Sequence, residues 1–346
     1  MLKKRICIDI RMSENTGIGT YIKNIVPHLI AENNWDLVLL VKTKSPWTDP
    51  HKQKLFSSPI YSLQEQLKYP FVVPSCDLFW SPHYNVPFFP IRAKKRVVTV
   101  HDVCHLVYGN ELGWLKKRYA KTMLQKALQA DKIVTVSHFS KQEILKYLKV
   151  NPEKITVIHN GAPVYTHTSS HQLDIPSPFI LYVGNNKPHK NLSSLLQAFH
   201  LLRQELHVYH LVLVGKDPSL ASLPSPVIHV FSDVSDESLP YYYKQASLLV
   251  CPSTYEGFGL PALEAMAYNC PVAASHSASL PEVCGNAASY FDPINPKQIA
   301  KVMKELLINQ EIRKQHISLG KKQMLQFSWK NSAKKHKEIF LELLES

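Results

Sequence analysis

Two carboxylates, Glu256 and Glu264, stand with seven residues between them in the stretch Leu248 to Pro271, LLVCPSTYEGFGLPALEAMAYNCP. The apolar run Leu248-Leu249-Val250-Cys251 predicts a strand buried on both faces. A glycine-bearing loop follows, Pro252 to Gly259, and then a helix pattern with Pro261 suited to its start and Asn269 to the position past its end. Strand, loop and helix N-terminus make a site for an anion, because backbone N–H groups and the positive end of the helix dipole point the same way. A carboxylate near a helix start gains up to about 1 kcal/mol from that dipole, which accounts for Glu264. Glu256 would repel the anion unless it faced other groups, and hydroxyls suit a carboxylate acceptor. A nucleotide sugar, with a diphosphate and hydroxyls, satisfies all the parts. An ordinary surface loop before a capped helix is the alternative.

Three further clusters have the same strand-then-loop setting. The run Phe179 to Val183 leads into GNNKPHKNL, where Lys190 is placed to neutralise a phosphate; a solvated loop lysine is the plainer reading. The strand Arg96 to Val100 runs straight into His101-Asp102. Ligands of doubly wound sheets bind beyond the carboxyl ends of strands, so both are site candidates. A structural histidine and a turn-capping aspartate are the alternatives. Near the start, the strand KRICIDI is followed by a loop with Gly17-Ile18-Gly19 and a helix from Thr20 to Glu32. The glycines do not complete a dinucleotide fingerprint, because Ile22 stands at the sixth position; a tight turn explains them equally well.

EGFGLPALEAMAYNCPVAAS, with its continuation SLPEVCGNAASYFDP, resembles the donor-binding signature of the family-four retaining glycosyltransferases, which have the GT-B fold. The resemblance implies that Glu256 faces the donor sugar and Glu264 the ribose, with the backbone of Gly257, Phe258, Gly259 and Leu260 near the diphosphate. VVTVHDVCHL resembles the family's TxHD segment and makes His101 an active-centre residue, with Asp102 orienting it or the acceptor. The loop at Lys190 is similar to the family's GxxxPRKN loop, whose lysine contacts the diphosphate. By the same likeness Gly17 and Gly19 lie close to the donor phosphate, and Val234 borders the base. His189 departs from the common arginine, Asn185 stands where some members bind phosphate with arginine, and Ser232-Asp233 replace glycine and an aromatic.

The elements that must position these groups read as β-α-β repeats, so parallel sheets are expected. Residues 1–161 form an expected acceptor-side Rossmann-like domain, and 162–178, with prolines, histidines and Ser/Thr but no periodicity, a linker. Residues 179–328 form a nucleotide-sugar domain. The expected fold is α/β of GT-B type: two doubly wound domains facing a central cleft, with 329–346 a helix crossing back to the first. Residues 42–95, rich in proline and aromatics, have no clear pattern and are assigned in part to acceptor recognition.

A length of 346 residues suits two domains. No apolar run reaches the length of a membrane span, and Asp9 breaks the first one, which reads as a strand and not a signal peptide. The six cysteines contain no C-x-x-C pair and read as reduced packing residues of a cytoplasmic protein. The net charge of +13 comes without a helix-turn-helix, zinc-finger or RNP pattern, which argues against nucleic acid. Arg92 to Lys126 carries nine Lys and Arg against Asp102 and Glu111, and Trp114 to Lys121 mixes aromatics with cations. An anionic membrane, at the inner face of the cytoplasmic membrane, fits that mixture, as does a solvated helix face.

The sequence contains no D-x-D, the motif that often holds a metal on such a diphosphate, and no metal or cofactor is expected. The expected activity is retaining, metal-independent transfer of a hexose, GDP-mannose favoured over a UDP-sugar, to a glycan or lipid-linked acceptor in cell-envelope polysaccharide or lipopolysaccharide synthesis. A non-transferring protein of the same fold (epimerase, nucleotide-sugar hydrolase or sugar-binding regulator) and an exported solute-binding protein are the competing readings.

Overall fold

The computed structural model describes residues 3–31, 34–44, 46–49, 52–108, 114–163 and 175–346. They divide into two units, Met1–Gly161 with Trp329–Ser346, and Ala162–Ser328. The first holds the strands β1 (Arg5–Asp9), β2 (Asp36–Val41), β3 (Gln53–Leu55), β4 (Cys76–Ser81), β5 (Ala93–Thr99), β6 (Lys132–Thr135) and β7 (Ile155–Val157). Their order in the sheet is β3-β2-β1-β4-β5-β6-β7, and each neighbouring pair is parallel. Its helices are α1 (Thr16–Ala31), α2 (Leu63–Val72), α3 (Cys104–Val107), α4 (Trp114–Ala127) and α5 (His138–Tyr147). The last helix of the chain, called α12 below (Trp329–Glu345), completes this unit by packing on α1 and β4.

The second unit holds β8 (Phe179–Val183), β9 (His210–Val214), β10 (Ile228–Phe231), β11 (Leu248–Cys251), β12 (Val272–Ser275) and β13 (Ala288–Phe291), in parallel order β10-β9-β8-β11-β12-β13. Between them run α6 (Leu192–Arg203), α7 (Leu239–Gln245), α8 (Leu260–Ala267), α9 (Leu280–Cys284), α10 (Pro296–Ile308) and α11 (Gln310–Met324). Its core joins Ile180, Leu195, Phe199, Leu213, Val250 and Met303. None of the six cysteines forms a disulfide, and all but Cys251 are buried. No described helix is long and apolar enough to cross a membrane.

One local expectation changes. Helix α1 begins at Thr16, so Gly17 and Gly19 lie in its first turn and not in a loop before it. Of the expected linker 162–178, residues 164–174 lie outside the described residues. Its first residue, Ala162, bridges Ser328 within the second unit.

Helix α12 carries Trp329, His336 and Phe340 into the core of the first unit. Around His336 the donor directions are determined. Its Nδ1 sits 2.7 Å from the Ser332 carbonyl, which can only accept, so Nδ1 holds the proton of the neutral ring. Its Nε2 therefore accepts from the Tyr21 hydroxyl at 2.6 Å. Tyr21 accepts in turn from Thr99 at 3.0 Å, and Trp80 Nε1 donates to Thr99 at 3.1 Å. One direction of donation satisfies the whole chain.

Protonating His336 would oppose that direction, and burial lowers its pKa to about 4. Burial takes His83 to about 4 as well, with Asp9 opposing. In the unfolded chain both titrate near 6.5. Between those values the unfolded state binds protons that the folded state refuses. Stability should therefore fall as pH drops from about 6.5 to 4, by roughly 1.4 kcal/mol per unit for each group. Asp9 adds the same sense lower down: with its pKa held at about 2 by Arg11 against burial, its contribution is whole above the ordinary carboxylate value and lost as pH falls through about 2. A urea midpoint lower at pH 5 than at pH 7, with a shallower decline in His336→Leu, is the expected result; equal midpoints at both pH values would exclude it.

Candidate functional site

In the second unit the chain order along the sheet reverses between β8 and β11, and ligands of open α/β sheets bind at such a reversal. Leu248 lies opposite Ile180 and Leu249 opposite Leu181, so the two strands end level, at Cys251 and Val183. Their loops emerge side by side and are tied together. The Thr254 N–H donates to the His189 carbonyl at 2.8 Å. Asn191, left-handed at φ +54 and therefore suited to asparagine, donates to the carbonyls of Pro252 at 3.0 Å and Pro293 at 2.7 Å.

This brace brings together two residues 66 positions apart: Lys190 Nζ donates to Glu256 Oε1 at 2.5 Å. The Ser253 hydroxyl donates to the same oxygen at 3.1 Å, and the Ser279 hydroxyl to the Glu256 carbonyl at 2.9 Å. The two charged side chains are 18% and 17% exposed. At that exposure each can exchange its partner for a ligand group without being left charged in a dry interior. Four residues after Glu256, α8 begins at Leu260, with its positive dipole end toward this loop. Pro261 takes the second helical position, and Asn269 stands left-handed just past the end.

Glu264 is the fifth residue of α8, past the first turn, so the dipole does not account for it as expected from the sequence. It is nearly buried, and its Oε2 accepts from the Tyr243 hydroxyl at 2.6 Å. Burial raises its pKa and the Tyr243 hydrogen bond opposes the rise. Asn185 lies on the Lys190 loop; its carbonyl accepts from Tyr182 at 2.6 Å, and its Oδ1 accepts the Lys187 N–H at 3.2 Å. Val234, half-buried, follows the edge strand β10, two strands over from β8.

The first unit has its own reversal, between β1 and β4. His101 follows β5, half-buried, with Nε2 2.9 Å from the Pro82 carbonyl. A carbonyl only accepts, so Nε2 carries the proton and Nδ1 is an acceptor. Burial lowers its pKa, which keeps the ring neutral. Asp102 Oδ1 accepts from the Cys104 N–H at 2.9 Å, a local turn just before α3.

Beside these lies a buried charged group that the sequence analysis passed over. Arg11 donates to both oxygens of Asp9, at 2.8 and 2.6 Å, and to Glu65 at 2.7 Å. Its guanidinium lies 3.8 Å over the Phe56 ring. Asn85 donates to Glu65 at 2.9 Å, and His83 is fully buried. The signal was the pattern I-D-I-R: an acid at the end of an apolar strand and a cation two residues on must be paired if buried.

Comparison with known proteins follows the same division. The profile of the family described as Glycosyl transferases group 1 matches residues 166–323, and that of Glycosyltransferase Family 4 matches residues 16–164. The O-antigen chain mannosyltransferase B of Escherichia coli is 33% identical over 271 residues, 72% of this chain and 71% of that protein. The O-antigen chain mannosyltransferase RfbU of Salmonella typhimurium is 30% identical over 239 residues, 66% of this chain and 64% of that protein. Among solved structures, a sucrose-phosphate synthase from Thermosynechococcus elongatus superposes with a TM-score of 0.78 at 18% identity, covering 99% of this chain and 100% of that one. WaaG, a glycosyltransferase involved in lipopolysaccharide biosynthesis, gives 0.72 at 17% identity, covering 97% and 98%. At these identities the structural matches show the GT-B fold.

Gly259 has φ +97, and a Cβ there would sit 2.7 Å from Leu280 Cδ2. Gly259→Ala is expected to cost roughly 1–3 kcal/mol in urea unfolding. At Gly17 a Cβ would meet nothing within 4 Å, so Gly17→Ala, in a helix, should be neutral or stabilising by up to about 1 kcal/mol. The reverse ranking would contradict the described loop geometry.

Proposed function

Because the chain belongs to the family-four glycosyltransferases of GT-B fold, we propose that it transfers a hexose, with retention of configuration, from a nucleotide sugar to a lipid-linked glycan acceptor. The relatives' names favour mannose as the sugar, from GDP-mannose, and an O-antigen or other cell-envelope polysaccharide as the product. The observation that carries the reading is the Lys190–Glu256 contact at the chain reversal beside the start of α8. The reaction would take place at the inner face of the cytoplasmic membrane.

In this reading the donor diphosphate takes Lys190 as its cation and the Gly257–Leu260 backbone as its cradle, and Glu256 accepts from hexose hydroxyls. Glu264, with Tyr243 holding one oxygen, takes the ribose. Asn185 flanks the diphosphate and Val234 the base. On the first unit, His101 Nδ1 accepts a hydroxyl hydrogen bond and Asp102 supports its loop.

The bond from the anomeric carbon to the diphosphate oxygen breaks, and its electron pair stays on that oxygen. The acceptor hydroxyl attacks from the same face, and its proton passes to the leaving phosphate. Negative charge grows on the diphosphate, so stabilisation there lowers the barrier. Lys190 and the α8 terminus supply it without a metal.

Binding the donor separates the Lys190–Glu256 pair and gives each group a substrate partner. Once the sugar has left, Glu256 competes again with the diphosphate for Lys190, which favours release. Lys190→Ala and Glu256→Ala should each lower kcat/KM by at least about tenfold, or roughly 1.4 kcal/mol. Glu256→Gln should bind the nucleoside diphosphate more tightly than wild type while binding the sugar nucleotide no better. Release of nucleotide from GDP-mannose and UDP-sugars, with and without acceptor lipid, is the assay. Wild-type turnover in both alanine variants would refute the assignment, and release independent of acceptor would identify a hydrolase.

A further inference from the structure

Tyr61 stands in the left-handed region, at φ +66, one residue before the N-cap of α2. Glycine and asparagine tolerate that conformation, whereas a bulky aromatic residue is strained in it. Such strain persists only where surrounding contacts enforce it, and it gathers at sites that hold ligands.

The enforcing contact comes from the buried charged group. Glu65 Oε2 accepts the Tyr61 N–H at 2.8 Å, and Ser62 Oγ accepts the Glu65 N–H at 3.1 Å. This is a reciprocal cap in which Glu65 reaches one residue further back than usual. The same Oε2 accepts from Asn85 at 2.9 Å, while Oε1 accepts from Arg11 at 2.7 Å. Asn85 Oδ1 in turn accepts from the Tyr119 hydroxyl at 2.8 Å. Tyr84 is the chain neighbour of Asn85. One buried ion group therefore orients tyrosines from three places: the loop before α2, the segment after β4, and α4.

Their rings meet. Tyr61 lies 6.3 Å from Tyr84, tilted by 34°, and 6.1 Å from Tyr119, edge-on. His105 stands edge-on to Tyr84 at 5.7 Å. Tyr61 is 43% exposed and the other two tyrosines are half-buried, so the cluster is open on one side. Asp102 lies close by: burial raises the pKa of Tyr61 and of Tyr84, and the Asp102 charge adds to both. Core packing alone explains neither the left-handed backbone nor the open ring.

We infer that Tyr61, Tyr84 and Tyr119 form a subsite for a neutral pyranose ring of the acceptor glycan. The ligand class follows from the lining. Tyrosine offers a flat face to the C–H groups of a sugar ring and a hydroxyl at its tip to the sugar hydroxyls. Asp102 accepts from hydroxyls. Asp102 and Glu65 together oppose an anion, which sets aside a phosphate or a sugar acid. An acyl chain would strand the tyrosine hydroxyls and the carboxylate away from water. The strained backbone holds the Tyr61 ring in one orientation before the sugar arrives, which reduces the ordering left for the binding step. The word acceptor rests on the proposed transfer, but sugar binding is read with no nucleotide present, so the two can fail separately.

The test is saturation-transfer NMR with methyl α-mannoside, methyl α-glucoside and mannose 6-phosphate. Wild type should bind a neutral glycoside and hold the phosphate at least about tenfold more weakly. Tyr61→Phe, which keeps the ring, should bind within about threefold of wild type. Tyr61→Gly should lose at least about tenfold in affinity, yet keep or raise the wild-type urea midpoint, because glycine relieves the left-handed backbone. If the glycine variant is destabilised, Tyr61→Asn is read in its place. Wild type that binds neither neutral glycoside, or that prefers mannose 6-phosphate, would overturn the proposal. So would a stable glycine or asparagine variant that binds as wild type does. A lowered midpoint in both variants would make Tyr61 a packing residue and overturn it as well. Sugar binding without nucleotide release from any sugar nucleotide would keep the subsite and refute the transferase.

Discussion

A lysine and a glutamate in contact at the ends of two adjacent parallel strands are the constraint on which the second unit turns. Neither side chain reaches the other through its own loop. Asn191 in a left-handed turn, clamped to the carbonyls of Pro252 and Pro293, sets the direction of the Lys190 loop. Ser253 and Ser279 hold Glu256 from the side chain and from the backbone. Such a pair is worth little to folding, because both groups keep some solvent and the gain in attraction roughly offsets the loss of hydration. Its significance is that two opposite charges are kept ready at one place, each with a partner it can exchange.

The first unit solves the opposite problem. Arg11, Asp9 and Glu65 are withdrawn from water altogether. Burial raises the Glu65 pKa, and Arg11 and Asn85 pull it back. A cation serving two carboxylates cannot be given up to a ligand without stranding both, so this group acts as a brace, not an exchangeable contact. The contrast between a sealed ion group in one sheet and an open one in the other separates scaffold from site, although both stand at chain reversals.

The strand and loop around Glu256 were legible because their signals are local: an unbroken apolar run, then glycines, then a helix start. The same holds for β8 with its Lys190 loop and for β5 with His101. What was illegible depended on distant partners. Helix α2 lies in the segment without a readable pattern because its polar residues face inward, which reverses the periodicity a reader counts on. Glu264 was placed too near the helix end because one residue of boundary decides whether a group lies in the first turn. The glycines near β1 looked like loop residues because glycine is costly within a helix; a Cβ at Gly19 would lie 2.3 Å from the Ser13 carbonyl, and that approach explains its presence. The Arg11 group, an acid at the end of β1 and a cation in the turn after it, needed Glu65, many residues later, to make sense.

Helix α12 gives the chain an order of assembly. Its side chains Trp329, His336 and Phe340 complete a core whose other members, Tyr21 and Trp80 among them, are synthesised far earlier. Everything needed by the second unit has been synthesised by Ser328, while the first still lacks one wall. The nascent N-terminal sheet must therefore wait, with an apolar side uncovered, until the part made in between has emerged. The early sheet is the portion most dependent on protection from misassociation.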